Sequence, residues 1–194
     1  MTSSQIFVAF VVLVGVERLA EVRLSRRNER ELRELGGREH ASGHFIAMQL
    51  LHTLWLVSII LEVTLLRPPL RPWVSALAAI GFVAGQCLRY AAIHALGRRW
   101  TVRVLTLPGA APITHGIYRY LRHPNYLGVV LEIAALPLMH SAWRSAVVFS
   151  LANAVLLTVR IRKEERALSE NGGYDRALGR LPRLWPSFRA RGAE

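Results

Sequence analysis

Residues Phe45–Leu66 read FIAMQLLHTLWLVSIILEVTLL, and Glu62 is the only full charge among them. In helical form such a run crosses the hydrocarbon core of a bilayer, which takes about 20 apolar residues. Residues 67–72, RPPLRP, interrupt it, and a helix does not continue through that proline pair. Residues 73–96, WVSALAAIGFVAGQCLRYAAIHAL, form a second long run with Arg89 as the only charge. Two such runs with one charge each are rare in soluble bundles. They predict an all-α integral membrane protein.

The rest of the chain is read outward from these two runs. Residues 6–16 are an unbroken apolar stretch, and its helical pattern continues toward Leu24 with Glu17, Arg18 and Glu21 near its end. Residues 20–43 are crowded with both charges and read as a charged loop. Residues 97–123 are polar, with Pro108, Gly109, Pro112 and Gly116 marking loop. Residues 124–139 and 142–159 are two more apolar stretches, and His140-Ser141 between them makes a helical hairpin. Five transmembrane helices are expected, the shorter ones relying on neighbours or tilt. A cleaved signal peptide does not fit residues 1–20, because no basic residue precedes Ile6 and no small-x-small site follows.

Charge distribution gives an independent test. The chain of 194 residues carries 25 Lys and Arg against 13 Asp and Glu, yet is 52% hydrophobic. Lys163 is the only lysine. On a five-span topology, twenty of the 25 basic residues fall on one membrane face and three on the other. The positive-inside rule then puts the amino terminus outside and the carboxyl terminus in the cytoplasm. An even number of spans would destroy this asymmetry. The arginines sit at span edges, where anionic headgroups lie, so membrane lipids rather than nucleic acid are the expected partners. Cys87 is the only cysteine, which excludes a disulfide framework and a cysteine-rich zinc site.

Glu62, Arg89 and Glu132 lie within predicted spans, where ionisable groups mark function or an internal ion-pair network. Arg89, one turn from the cytoplasmic end, can also snorkel. Gly81-Phe-Val-Ala-Gly85 is a GxxxG that permits close helix approach. His52 and His94 read as polar helix residues with local partners. No metal-binding motif, GxGxxG or P-loop occurs.

Two regions are dense in chemistry. Residues 112–128, PITHGIYRYLRHPNYLG, combine Tyr118, Tyr120 and Tyr126 with Arg119, Arg122 and His123, and Pro124 suits the first turn of a helix. This is a cytoplasmic mouth for an anionic or aromatic group, or an interfacial anchor. At the end of the last span, Arg160 and Glu164 share one helix face. The hairpin brings both regions to the same side of the membrane.

The run Gly116-x-Tyr118-Arg119-x-x-Arg122-His123-Pro124-x-Tyr126-x-Gly128 resembles the signature of isoprenylcysteine carboxyl methyltransferases and their bacterial relatives. The hairpin, Arg160-x-x-x-Glu164-Glu165-x-x-Leu168, Tyr174 and the terminal Arg180-Leu-Pro-Arg-Leu-Trp-Pro186 follow in matching order. The likeness covers roughly residues 85–187. It divides the chain into an N-terminal transmembrane region, 1–84, and a methyltransferase core, 85–194. It implies a bacterial cytoplasmic-membrane enzyme whose active site faces the cytosol. S-adenosylmethionine (SAM) enters from that side and a lipophilic acceptor from the bilayer, with no metal. Carried over by position, Tyr118, His123, Pro124, Asn125, Tyr126, Glu164 and the loop 110–113 with Ile113 bind SAM, and Arg103 falls near a further contact. Arg160 orients the acceptor oxygen, and Arg160 and Glu164 are the expected catalytic pair.

The chemistry is compatible. Glu164 can pair with the ammonium of SAM, and arginine, tyrosine or a helix N-terminus can take its carboxylate. An ionised carboxylate acceptor needs no base. A phenol-like hydroxyl does, and Arg160 can acidify it while His123 or Glu165 takes the proton. The resemblance is to a bacterial branch acting on hydroxyls of long-chain polyketide lipids such as alkylpyrones or alkylresorcinols. Membrane sterol reductases share a His-Pro-Asn-Tyr-x-Gly stretch and use NADPH, but place an acidic residue where Val129 stands. A non-enzymatic lipid-binding protein is the third alternative.

Overall fold

The computed structural model describes residues 1–40, 43–170 and 173–185. Pro186, Arg189 and Arg191, which entered the motif and charge readings, lie outside the described residues. The elements in chain order are α1 (Ser3–Glu34), β1 (Arg38–His40), α2 (Gly43–Leu61), α3 (Pro72–Leu96), β2 (Val104–Thr106), α4 (Pro124–Leu138), α5 (Trp143–Glu170) and α6 (Tyr174–Leu178). Three helices are long and apolar enough to cross a membrane, Phe45–Leu66, Pro72–Arg99 and Trp143–Glu170, and Pro124–Leu138 is a shorter apolar helix. Their outer faces carry large exposed apolar side chains such as Leu54, Leu77, Ile80, Leu151 and Val155. In water such continuous apolar surface would demand a partner. In a bilayer, lipid is that partner.

The first helix departs from expectation. Residues 20–43 are not a loop: α1 runs unbroken through 32 residues to Glu34. It starts with a capping box between Thr2 and Gln5 and ends just before Gly36, which takes a positive φ of 86°. At 1.5 Å per residue it is about 48 Å long, more than the bilayer core needs. Its charged half buries Glu21, Ser25, Asn28, Glu29 and Leu32 at helical spacing. These side chains hold the backbone of the loop after α3. Asn28 Nδ2 donates to the Trp100 carbonyl at 2.7 Å and to that of Gly97 at 3.3 Å. Ser25 Oγ accepts from the Val102 N–H at 2.9 Å and donates to Glu29 at 2.6 Å. A polar helix face that satisfies a buried loop has no hydrophobic signature, which is why the sequence reads as loop.

A small sheet is the second departure from a purely helical expectation. β1 pairs antiparallel with β2, with Arg38 opposite Thr106 and His40 opposite Val104. It ties the loop before α2 to the loop after α3. Arg33 and Arg103 both bind the Glu39 carboxylate. Burial opposes ionisation of Glu39, but these two arginines outweigh it and hold its carboxyl below the usual range. A depressed folded pKa contributes stability that is present above the unfolded value, about 4.3, and is lost as pH falls through the folded one. Amide protection in residues 104–106 should therefore hold down to about pH 5 and fall at lower pH. Hydrogen exchange read as protection factors checks this, and Glu39→Gln should remove the pH dependence.

Beneath these loops the helices pack around Trp55, Ile59, Val63, Ile133 and Leu136, joined by Phe7 and Val11 from α1 and Phe82 from α3. The closest approach is between α3 and α4. A Cβ on Gly85 would lie 2.9 Å from the Gly128 carbonyl oxygen, and one on Gly128 would lie 2.7 Å from that of Gly85. The GxxxG on α3 thus meets the glycine that ends the 116–128 motif. The turn Met139–Ala142 closes the α4–α5 hairpin, with Ser141 at a φ of 57°.

The charges inside the spans have partners. Glu62 sits where α2 widens into a π-turn, Glu62–Leu66. Its carboxylate accepts from the Arg144 and Ser145 N–H groups at 3.1 and 2.7 Å, so it caps the start of α5. Arg89 does not snorkel. It is buried against Glu21 and Glu132, and Arg18 reaches the same two carboxylates at 2.8 and 3.3 Å. Ions in a low-dielectric interior are retained only when paired in this way.

Candidate functional site

The hairpin sets the start of α4 beside the second half of α5, and Tyr126 stands between them. Its hydroxyl accepts from Arg160 Nε at 2.6 Å and donates to the Glu164 carboxylate. The Arg160 guanidinium also lies 5.5 Å from the Tyr126 ring centroid, and a further nitrogen donates to the Val102 carbonyl. His123 stacks on that ring at 5.4 Å between centroids. One turn of sequence spacing on α5, Arg160 to Glu164, is thus locked to the motif by a single phenol.

Glu165, the next residue, does a different job. It binds Arg122 at 3.1 Å, His123 Nε2 at 3.2 Å and Arg183 at 2.7 Å. The Arg122 and His123 N–H groups donate to the Pro182 and Arg183 carbonyls, both at 3.0 Å. The terminal Arg-Leu-Pro-Arg segment is therefore a strap across the 122–123 corner. A cavity of about 630 Å³ opens beside this corner. Glu165 is not on its wall, so the expectation that Glu165 takes a substrate proton does not fit. His123 is on the wall, but its Nε2 is engaged by Glu165.

The cavity wall carries Arg103, Ile113, Tyr118, His123, Asn125, Tyr126, Arg160 and Glu164, which brings all but one of the sequence-derived site residues together. The exception is Pro124. It is fully buried at the first position of α4 and starts the helix that aims Asn125 and Tyr126. Arg103 is held by Glu29 at 3.4 Å and lies 4.3 Å from the Phe45 ring centroid, so it is a fixed wall element. Asn125 Oδ1 and the Tyr174 hydroxyl are buried without a hydrogen-bond partner among the described residues. Buried polar atoms rarely stay unpaired. Burial raises the Tyr118 and Tyr174 phenols, and nearby glutamates raise them further, so both are protonated donors at neutral pH.

Tyr174, Arg18 and His52 are among the cavity residues that sequence reasoning did not assign to the site. Tyr174 was legible only as a motif element, although a tyrosine after a glycine in a charged tail is an unusual choice for solvent. Arg18 and His52 come from the region with no recognisable motif. Beyond them the cavity continues as an apolar slot walled by Val12 and Val16 of α1 and by Leu56, Val57 and Ile60 of α2. Among the described residues no cluster of His, Cys, Asp or Glu is placed to hold a metal.

The cavity thus joins a polar pocket to an apolar slot between helices. The model of the isoprenylcysteine carboxyl methyltransferase (ICMT) family matches residues 76–170. The chain is 36% identical over 164 residues to the uncharacterized protein YpbQ of Bacillus subtilis, covering 84% of this chain and 97% of that one. It is 27% identical over 163 residues to an uncharacterized protein of Haemophilus influenzae, covering 84% and 94%. It is 32% identical over 100 residues to protein-S-isoprenylcysteine O-methyltransferase A of Arabidopsis thaliana, covering 50% of this chain and 51% of that enzyme. The chain belongs to the isoprenylcysteine carboxyl methyltransferase family.

Proposed function

We propose that this protein is a membrane O-methyltransferase that binds SAM at the polar end of the cavity and methylates an oxygen of a lipophilic acceptor lying in the slot between α1 and α2. The carrying observation is the continuity of one cavity from Glu164, Asn125 and Tyr174 to Val12, Val16 and Ile60. The residues present fit SAM. Its ammonium suits Glu164, and the unpartnered Asn125 Oδ1 and Tyr174 hydroxyl need polar groups such as it offers. When bound, SAM supplies an electrophilic methyl group on a cationic sulfonium.

The chain's own residues do the rest. Glu164 and Tyr118 orient the donor, with Ile113 and the 110–113 loop covering it. Tyr126 fixes Arg160 and Glu164 relative to each other, so donor and acceptor sites are positioned by one rigid corner. Arg160 directs its guanidinium at the acceptor oxygen. The Glu165 strap holds the corner closed and excludes water, which matters because in-line displacement is helped chiefly by positioning. Five spans with the amino terminus outside place this end of the cavity at the cytosolic face, where twenty of the 25 basic residues then lie. Acceptors of this shape include long-chain polyketide phenols and pyrones and isoprenylated compounds.

The test uses the full-length protein in lipid nanodiscs. Calorimetry should find binding of SAM and none of NADPH, and methyl-labelled SAM should transfer its label into extracted bacterial lipids. Binding of NADPH instead, or of neither, overturns the reading.

A further inference from the structure

The charged half of α1 has two faces. One is the buried face of Ser25, Asn28 and Glu29, which holds the loop after α3. The other is exposed and carries Arg23, Arg26, Arg27, Arg30 and Arg33. Arg27 pairs with Glu31 at 3.3 Å and Arg33 pairs with Glu39. Among the described residues no carboxylate meets Arg23, Arg26 or Arg30, and Arg30 Nε reaches only the Arg26 carbonyl one turn back, at 3.4 Å. Like charges at three- and four-residue spacing destabilise a helix, so these three cations call for an anion from outside the chain.

Followed toward the amino terminus, the same stripe turns apolar. Val12, Val16, Leu19, Arg23, Arg26 and Arg30 are spaced alternately four and three residues apart, which keeps them on one side of an α-helix. Val12, Val16 and Leu19 are exposed, and all three also line the slot between α1 and α2. An amphiphile lying along this face meets about 10 Å of apolar helix and then, one turn further, a row of cations.

We infer that this face of α1 seats an anionic phospholipid, with its phosphate on Arg23, Arg26 and Arg30 and an acyl chain along Val12, Val16 and Leu19 at the lip of the slot. This rests on α1 spanning the bilayer as proposed above, and not on methyl transfer. Charge complementarity selects the headgroup. Phosphate oxygens accept from guanidinium groups in forked geometry, whereas a zwitterionic headgroup brings its own cation to compete. The apolar continuation selects a lipid over a water-soluble phosphate, which would gain nothing from Val12, Val16 and Leu19. On the opposite face of the same turns, Asn28 and Ser25 hold the backbone of Trp100 and Val102, two residues of the cavity wall. A lipid bound here therefore braces the wall from behind.

The test uses the full-length protein in detergent, with native mass spectrometry counting retained lipid at low ionic strength, where screening is weakest. Phosphatidylglycerol should be retained about 100-fold more strongly than phosphatidylcholine with the same chains, which is about fivefold for each of the three arginines. Arg23→Gln, Arg26→Gln and Arg30→Gln should each lower that preference about fivefold and together abolish it. Arg162, Lys163 and Arg166, exposed on α5, are the control. Replacing all three by glutamine removes the same charge and should leave the preference unchanged. Glycerophosphoglycerol, the same headgroup without chains, should not compete, and neither should a short acidic peptide. Melting temperatures on the same samples confirm that each variant is folded. A triple arginine variant that keeps the preference, an equal loss in the α5 control, or competition by the chain-free headgroup or the peptide overturns the inference. SAM affinity measured in parallel keeps the two readings apart: its absence with the lipid preference intact counts against the methyltransferase reading alone.

Discussion

Arg160→Ala should lower methyl transfer to a lipid acceptor by about two to three orders of magnitude while the protein remains folded. Arg160 makes two kinds of contact at once. Nε holds the Tyr126 hydroxyl at 2.6 Å, and another nitrogen holds the Val102 carbonyl. Removing it frees the corner that sets Glu164 and the acceptor site, and a displacement of about 1 Å between reacting groups alone costs about 100-fold. On the proposed mechanism it also takes a preorganised cation away from the acceptor oxygen. Leaving the buried Tyr126 hydroxyl and Val102 carbonyl short of a donor adds about 1–3 kcal/mol of destabilisation. Arg160→Lys keeps the charge but not the planar fork, so it should rescue stability better than rate. Steady-state transfer of labelled methyl, with melting temperature and SAM affinity measured on the same samples, separates these contributions. An alanine variant that is folded and fully active removes Arg160 from the site.

The second large effect concerns the fold. Gly128→Ala should destabilise the protein by about 3 kcal/mol and lower its melting temperature in detergent by about 10 °C. A methyl group there would sit 2.6 Å from Arg89 Cγ and 2.7 Å from the Gly85 carbonyl oxygen. Backbone cannot yield as a flexible side chain tip can, so α3 and α4 must separate. Separation would also pull Arg89 from Glu132, at 3.4 Å, and leave buried charge poorly paired. Gly81→Ala is the control on the same helix. Its Cβ would meet Ala135 Cβ at 3.5 Å, an ordinary contact, and should be nearly neutral. Equal melting temperatures for Gly128→Ala and wild type would refute this account of the interface.

Both predictions start from residues that stand out in the chain, yet their physical roles differ in how legible they were. Gly128 reads as a motif letter, and only the crossing of α3 over α4 reveals that it makes room for Gly85. Arg160 and Glu164 are visible as a pair at helical spacing. The phenol that locks them comes from Tyr126, thirty-four residues earlier. Residues 20–34 read as loop because their helix is held by the Val102 N–H donating to Ser25 and by Asn28 donating to the Trp100 carbonyl rather than by an apolar stripe. Arg89 was legible as an intramembrane charge but not as the partner of Glu21 and Glu132, which lie on two other helices.

What the sequence by itself determined is what depends on local composition: the long apolar runs, the breaks at Arg67-Pro-Pro and His140-Ser141, and the ordered motif from Gly116 to Gly128. Hydropathy and backbone chemistry act over a few turns, and a single chain displays them directly. Only the tertiary structure decided which polar groups share the cavity. It set His52 and Arg18 near the Tyr126 corner, left Asn125 Oδ1 and the Tyr174 hydroxyl without a hydrogen-bond partner among the described residues, and bound His123 to Glu165. Whether a polar side chain is available for chemistry depends on whether its hydrogen bonds are already made, and those partners come from elements far apart in the chain.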